Sequence, residues 1–166
     1  MIFVTVGTHE QQFNRLISYI DELKGCGIIQ EEVIMQIGFS TYEPKHCKWS
    51  KLLTHKDLKQ YVEDARIVIT HGGPASFVMP LQYGKIPVVV PRKKEYGEHV
   101  NDHQVDFCEK LAKRMGNIIL VDQVEKIRDI LNDYDAVVKD CMNGIESNNA
   151  AFCKAFSDIV DGLFQQ

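Results

Sequence analysis

The sequence predicts an α/β fold, a Rossmann-like parallel sheet with helices on both faces, and three observations carry that reading. Short runs of β-branched residues alternate with longer stretches of helical periodicity. The runs are apolar without polar alternation, as strands covered on both faces are. One of them passes through a pair of glycines straight into a helix.

Ile2 to Val6 is the first strand, and Phe13 to Leu23 is the helix that returns from it. Val33 to Ile37 gives a second strand, followed by a helix over Lys56 to Glu63. The run Ile67 to Thr70 continues through His71-Gly72-Gly73 into a helix from Ala75 to Tyr83. Pro74 suits the first turn of that helix, where a missing N–H costs nothing. Pro87 to Val90 has no polar face and leads to a helix over Val100 to Met115. Ile118 to Val121 and Val124 to Leu131 form the last strand and helix pair. Ala150 to Phe164 then sets Phe152, Phe156, Ile159, Val160 and Leu163 at helical spacing, and a stripe this broad usually belongs to the core of its own chain.

A chain of 166 residues with 45% apolar content and no linker-like block is expected to form one domain, 1–166. Its formal charge of -4 gives no broad attraction to nucleic acid, and Arg92-Lys93-Lys94 is too short a basic cluster to make one. The five cysteines, Cys26, Cys47, Cys108, Cys141 and Cys153, are scattered and form no CxxC pair, which points to reduced thiols in a cytoplasmic setting. The apolar start is too short for a signal segment, and no run approaches the roughly 20 residues needed to span a bilayer.

In an open parallel sheet, ligands bind beyond the carboxyl ends of the strands. The segments leaving those ends are Gly7-Thr8-His9-Glu10, Gly38-Phe39-Ser40, His71-Gly72-Gly73 and Pro91-Arg92-Lys93-Lys94. Glycines allow close approach, Thr8, Ser40 and Ser76 supply hydroxyls, the basic residues offer neutralising charge, and a helix opening at Pro74-Ala75 favours an anion. A nucleotide diphosphate suits such an edge. The dinucleotide fingerprint GxGxxG and the Walker A loop are both absent, which weighs against a nicotinamide, a flavin or an epimerase-like enzyme. His99 and His103 are four apart and would share a helical face, yet no third ligand is evident, so no metal and no cofactor are expected.

The order of motifs is more specific than any one of them. Leu53-Thr54-His55-Lys56-Asp57-Leu58, then Ala65 through Thr70-His71-Gly72-Gly73-Pro74-Ala75-Ser76, then Gly84-Lys85-Ile86-Pro87-Val88-Val89-Val90-Pro91 and Asn101-Asp102-His103-Gln104, resembles the C-terminal, donor-binding domain of GT-B glycosyltransferases of family 28. Within that family the chain is similar to single-domain members, the bacterial capsule and exopolysaccharide subunits and the small cytosolic subunit of the dolichol-linked N-acetylglucosaminyltransferase.

The resemblance implies a UDP-sugar donor site on a GT-B C-terminal-type domain. Gly7, Thr8, Gly38, Gly72, Gly73, Ala75 and Ser76 would lie about the diphosphate with Arg92, Thr54 near uracil, and His103 with Gln104 near the sugar hydroxyls. Glu98 and His99 would shape the sugar pocket, and His71 would orient the glycine turn. His9 or Glu10 is the candidate catalytic base, unless the partner supplies it. Met79 departs from the family, many members of which carry a glutamate there for the ribose; a non-catalytic enhancer subunit is therefore the alternative. Two-domain members react in the cleft between their halves, so the resemblance implies a membrane-anchored acceptor-binding partner, a lipid-linked sugar acceptor, a location at the inner face of the cytoplasmic membrane, and docking through the final helix, 149–166.

Overall fold

The computed structural model describes residues 1–141 and 149–163. Six parallel strands form one sheet: β1 (Ile2–Thr5), β2 (Val33–Gln36), β3 (Lys48–Ser50), β4 (Ile67–His71), β5 (Val88–Val90) and β6 (Ile119–Leu120), in the order β3-β2-β1-β4-β5-β6. The helices are α1 (Asn14–Gly25), α2 (His55–Asp64), α3 (Pro74–Gln82), α4 (His103–Met115), α5 (Ile127–Asn132), α6 (Tyr134–Cys141) and α7 (Asn149–Leu163). The expected Rossmann-like α/β fold is thus present, and the strand order reverses direction between β1 and β4.

The pleat explains why the strands read as unbroken apolar runs. Ile2 and Val4 of β1 align with Ile67 and Ile69 of β4, and all four belong to the core on the α1 side. Phe3 aligns with Val68 and packs on the opposite face with Val62 of α2. A second cluster on that face joins Phe77 of α3, Val89 of β5 and Cys108 of α4. Each such side chain contributes about 1.5–3 kcal/mol on burial.

Four elements differ from the sequence expectation. β3 is a three-residue edge strand paired only with β2, and in Lys48-Trp49-Ser50 a single half-buried Trp49, packed on the core between two exposed polar residues, is too short a signal to mark a strand. The helix expected over Val124 to Leu131 splits into a 3₁₀ turn, Val124–Lys126, and α5. α6 is an additional helix, anchored where the Tyr134 hydroxyl donates to the carbonyl of Ile86 at 2.6 Å. The stripe on α7 is not core: Phe152, Phe156, Ile159 and Leu163 are 59–70% exposed, with Phe152 and Phe156 stacked on each other. Residues 164–166 of the expected docking segment lie outside the described residues.

Candidate functional site

A cavity of about 450 Å³ opens between the carboxyl ends of β1 and β4, where the strand order reverses. β1 ends at Thr5, whose hydroxyl donates to Gln36 Oε1 at 2.9 Å and accepts the Gly7 N–H at 3.2 Å. That bond sets a tight turn in which Gly7 adopts φ +71°, a conformation costly for any other residue. β4 ends at His71, whose ring stands between the two glycine turns. A Cβ placed on Gly7 would lie 2.5 Å from Cε1 of this ring, and one on Gly73 would lie 2.4 Å from Nε2. Both glycines are therefore required by the close approach of the backbone.

α3 begins at Pro74 with no side-chain cap on its N-terminus. Ala75 and Ser76 line the cavity from that first turn, opposite Gly7, Thr8 and His9. The far wall belongs to α2 and the middle of α3, with His55, Leu58 and Met79. Thr54 is the N-cap of α2; its hydroxyl accepts the Asp57 N–H at 3.1 Å and donates to the Asp57 carboxylate at 2.7 Å, so His55 rather than Thr54 faces the cavity. Gly38 sits one strand over, in a separate depression lined by Phe39, Ser40 and Leu52, and a Cβ there would come 2.7 Å from the Gly7 carbonyl oxygen.

Several charged residues expected at the diphosphate or the sugar are turned inward. Arg92 is fully buried, and its guanidinium donates to the carbonyls of Val6, Gln11, Gln12 and Glu98 at 2.9–3.1 Å with the Phe13 ring against it. Burial pushes its pKa down to about 10, against the opposing pull of Glu98. The sequence shows a cation after a strand but not that four carbonyls converge on it. Glu98, also fully buried, accepts two hydrogen bonds from Arg15 at 2.9 Å and one from the Lys93 N–H. Lys93 itself pairs with Glu95 at 3.4 Å. Gln104 is buried under the glycine turn, where its Oε1 accepts the Arg92 N–H at 3.2 Å. Gly72 lies just above it, where an added Cβ would sit 3.0–3.1 Å from Cys108 and Gln104 and force them to shift.

The rim above this clamp carries His9, His99 and His103. His9 and His99 have ring centroids 4.7 Å apart, and His99 and His103 are 4.4 Å apart. α4 starts only at His103, so the pair does not share a helical face as its spacing suggests. Burial and the neighbouring His103, His9 and Arg92 lower the pKa of His99. Glu10 is exposed on the same loop as His9.

His71 is neutral in the folded chain, because burial and then the Arg92 charge push its pKa down from 6.5 to about 4. Between those two values the unfolded chain binds the extra proton, so stability is complete above about pH 6.5 and falls as pH drops toward 4. The difference amounts to about 3 kcal/mol. A His71→Asn variant should therefore lose less stability than the parent between pH 7 and pH 4.5 in urea titrations. Equal losses would show that His71 does not carry the linkage.

The model of the glycosyltransferase family 28 C-terminal domain matches residues 1–163. The UDP-N-acetylglucosamine transferase subunit ALG13 of Homo sapiens is 31% identical over 121 residues, 68% of this chain, and that of Mus musculus is 30% identical over 120 residues, 67% of it. The chain spans about a tenth of the length of either relative. Among solved structures, the glycosyltransferase SnogD from Streptomyces nogalater superposes with a TM-score of 0.53 at 18% identity, over 84% of this chain and 36% of that one.

Proposed function

The chain belongs to the glycosyltransferase family 28 C-terminal domain family, and we propose that it is the donor-binding subunit of a two-part inverting glycosyltransferase. In this reading it transfers a sugar from a UDP-sugar to a polyprenyl-diphosphate-linked acceptor in capsule or exopolysaccharide synthesis. The observation that carries the reading is the cavity at the β1/β4 reversal, with the Gly7 turn on one side and, on the other, the N-terminus of α3, which opens at Gly73 without a side-chain cap, both close against the His71 ring. Backbone N–H groups and the helix dipole can receive a diphosphate there and stabilise it as it departs. Because the Arg92 guanidinium is spent on carbonyls, the seat relies on the backbone rather than on that side chain.

The relatives' names describe a subunit of a UDP-N-acetylglucosamine transferase, which supports both the donor class and the need for a partner. The acceptor-binding half is assigned to a membrane-anchored subunit, and the exposed apolar face of α7 is the surface offered to it. No helix among the described residues is long and apolar enough to cross a membrane, so attachment at the inner face of the cytoplasmic membrane is assigned to that partner.

Met79 supports the competing reading of a non-catalytic enhancer, since a thioether cannot hold ribose hydroxyls as a carboxylate would. Titration calorimetry with UDP separates the two. We expect saturable UDP binding, tightened roughly 10-fold in Met79→Glu by the added charged hydrogen bond. No affinity into the millimolar range would overturn the donor-binding reading in favour of the enhancer. Sugar transfer by the purified chain at a rate unchanged by any partner would overturn the two-part assignment.

A further inference from the structure

The three rim histidines are not equivalent, and their hydrogen bonds say how. A neutral imidazole has one N–H and one lone pair, and the partner of one nitrogen decides which form is present. Nδ1 of His9 accepts the backbone N–H of Gln11 at 3.2 Å, and Nδ1 of His99 accepts that of Asn101 at 3.4 Å. A nitrogen that accepts an N–H cannot carry the proton of the neutral ring, so in both residues the proton sits on Nε2. His103 is reversed. Its Nδ1 faces the Asn101 side-chain oxygen, and that same oxygen accepts the His103 backbone N–H at 3.3 Å. The backbone N–H fixes which end of the Asn101 amide points inward: an NH₂ group there would confront a donor. Nδ1 of His103 must therefore be the N–H that donates to Asn101, which leaves a lone pair on its Nε2.

One rim thus presents two N–H donors and one acceptor within ring-contact distance. We propose that His103, with Asn101 as its positioning residue, is the proton acceptor of the reaction, and that His9 is a hydrogen-bond donor to the departing diphosphate. This deepens the transferase reading above and rests on it. The acceptor hydroxyl oxygen bonds to the anomeric carbon as the bond from that carbon to the diphosphate oxygen breaks, and the diphosphate leaves with the electron pair. The hydroxyl proton passes to Nε2 of His103, whose Nδ1–H stays on Asn101. The imidazolium then returns its proton to solvent. His9, one of the two candidate bases named from the sequence alongside Glu10, offers Nε2–H in this arrangement and has no lone pair directed outward.

The test uses the full chain in two steps. Long-range proton–nitrogen correlation spectra of the imidazoles at neutral pH should show the Nδ1–H form for His103 and the Nε2–H form for His9 and His99. Asn101→Ala should convert His103 toward Nε2–H, while Asn101→Asp, which keeps an acceptor oxygen, should restore Nδ1–H. In membranes holding the co-expressed acceptor-binding subunit, His103→Gln should lower turnover about 10²- to 10⁴-fold with UDP affinity of the purified chain changed less than about 3-fold. An Nε2–H form of His103 in the parent chain, or a larger turnover loss in His9→Gln than in His103→Gln, would overturn the proposal and leave the donor site standing. Absent UDP binding with the tautomers as assigned would overturn the transferase reading, and the proton-acceptor role with it.

Discussion

Gly7→Ala should destabilise the chain by about 2–5 kcal/mol and raise the Kd for UDP roughly 30-fold or more. Two independent costs meet at this residue. Its φ of +71° disfavours a Cβ by about 1–2 kcal/mol. The new methyl would also lie 2.5 Å from Cε1 of His71, a buried ring that Gly73 also approaches closely. Relief by displacement would break the Thr5 hydroxyl bond that sets the turn and move the loop carrying Thr8 and His9. Adding His71→Ala should return the steric part of the stability, about 1–3 kcal/mol, and leave the torsional part. Urea midpoints and calorimetry read both effects; Gly7→Ala with parental UDP affinity would mean that this turn is not part of the donor site.

Arg92→Met should cost about 3–5 kcal/mol, more than a typical surface arginine by an order of magnitude. The guanidinium satisfies carbonyls from residues 6, 11, 12 and 98, so its loss strands several buried acceptors at once. It also ties the loop bearing His9 to the turn bearing His99, and releasing it should separate the rim histidines. Arg92→Lys should recover only part of the loss, because an ammonium cannot span the same fork of partners. A midpoint shift worth under about 1 kcal/mol would show that the clamp contributes little.

Much of the frame was legible because its signals are local. Val88-Val89-Val90 and Ile67 to Thr70 could only be strands buried on both faces, and Gly73-Pro74 marked where a helix begins. Lys48-Trp49-Ser50 escaped notice because this edge strand is held by pairing with its neighbour's backbone and by one apolar side chain, Trp49, which is no run. Helical spacing on α7 gave the helix but not its environment, since the same stripe serves a core or an open face.

The loops named from the sequence are brought together by the fold, while Arg92, Glu98 and Gln104 face inward. Gly7, Ala75 and Ser76 meet at one cavity, with Gly73 close against the His71 ring that lines it, because strand tips converge by topology, which motif order conveys. The inward turn of Arg92, Glu98 and Gln104 depends on carbonyls and an arginine distant in the chain, Arg15 among them, and no spacing announces it. The proton positions on His9, His99 and His103 likewise follow from three backbone N–H groups, invisible until the loops are folded.

In the proposed function, the tips of β1 and β4 and the start of α3 together receive the diphosphate of a nucleotide sugar. Amide shift mapping of the isotope-labelled chain during UDP titration tests it most directly. The largest changes are expected at Gly7, Thr8, Gly72, Gly73, Ala75 and Ser76, with a second group at His55 to Leu58 on α2. Changes confined to the depression around Gly38, Phe39 and Leu52, or spread without focus over the surface, would contradict it.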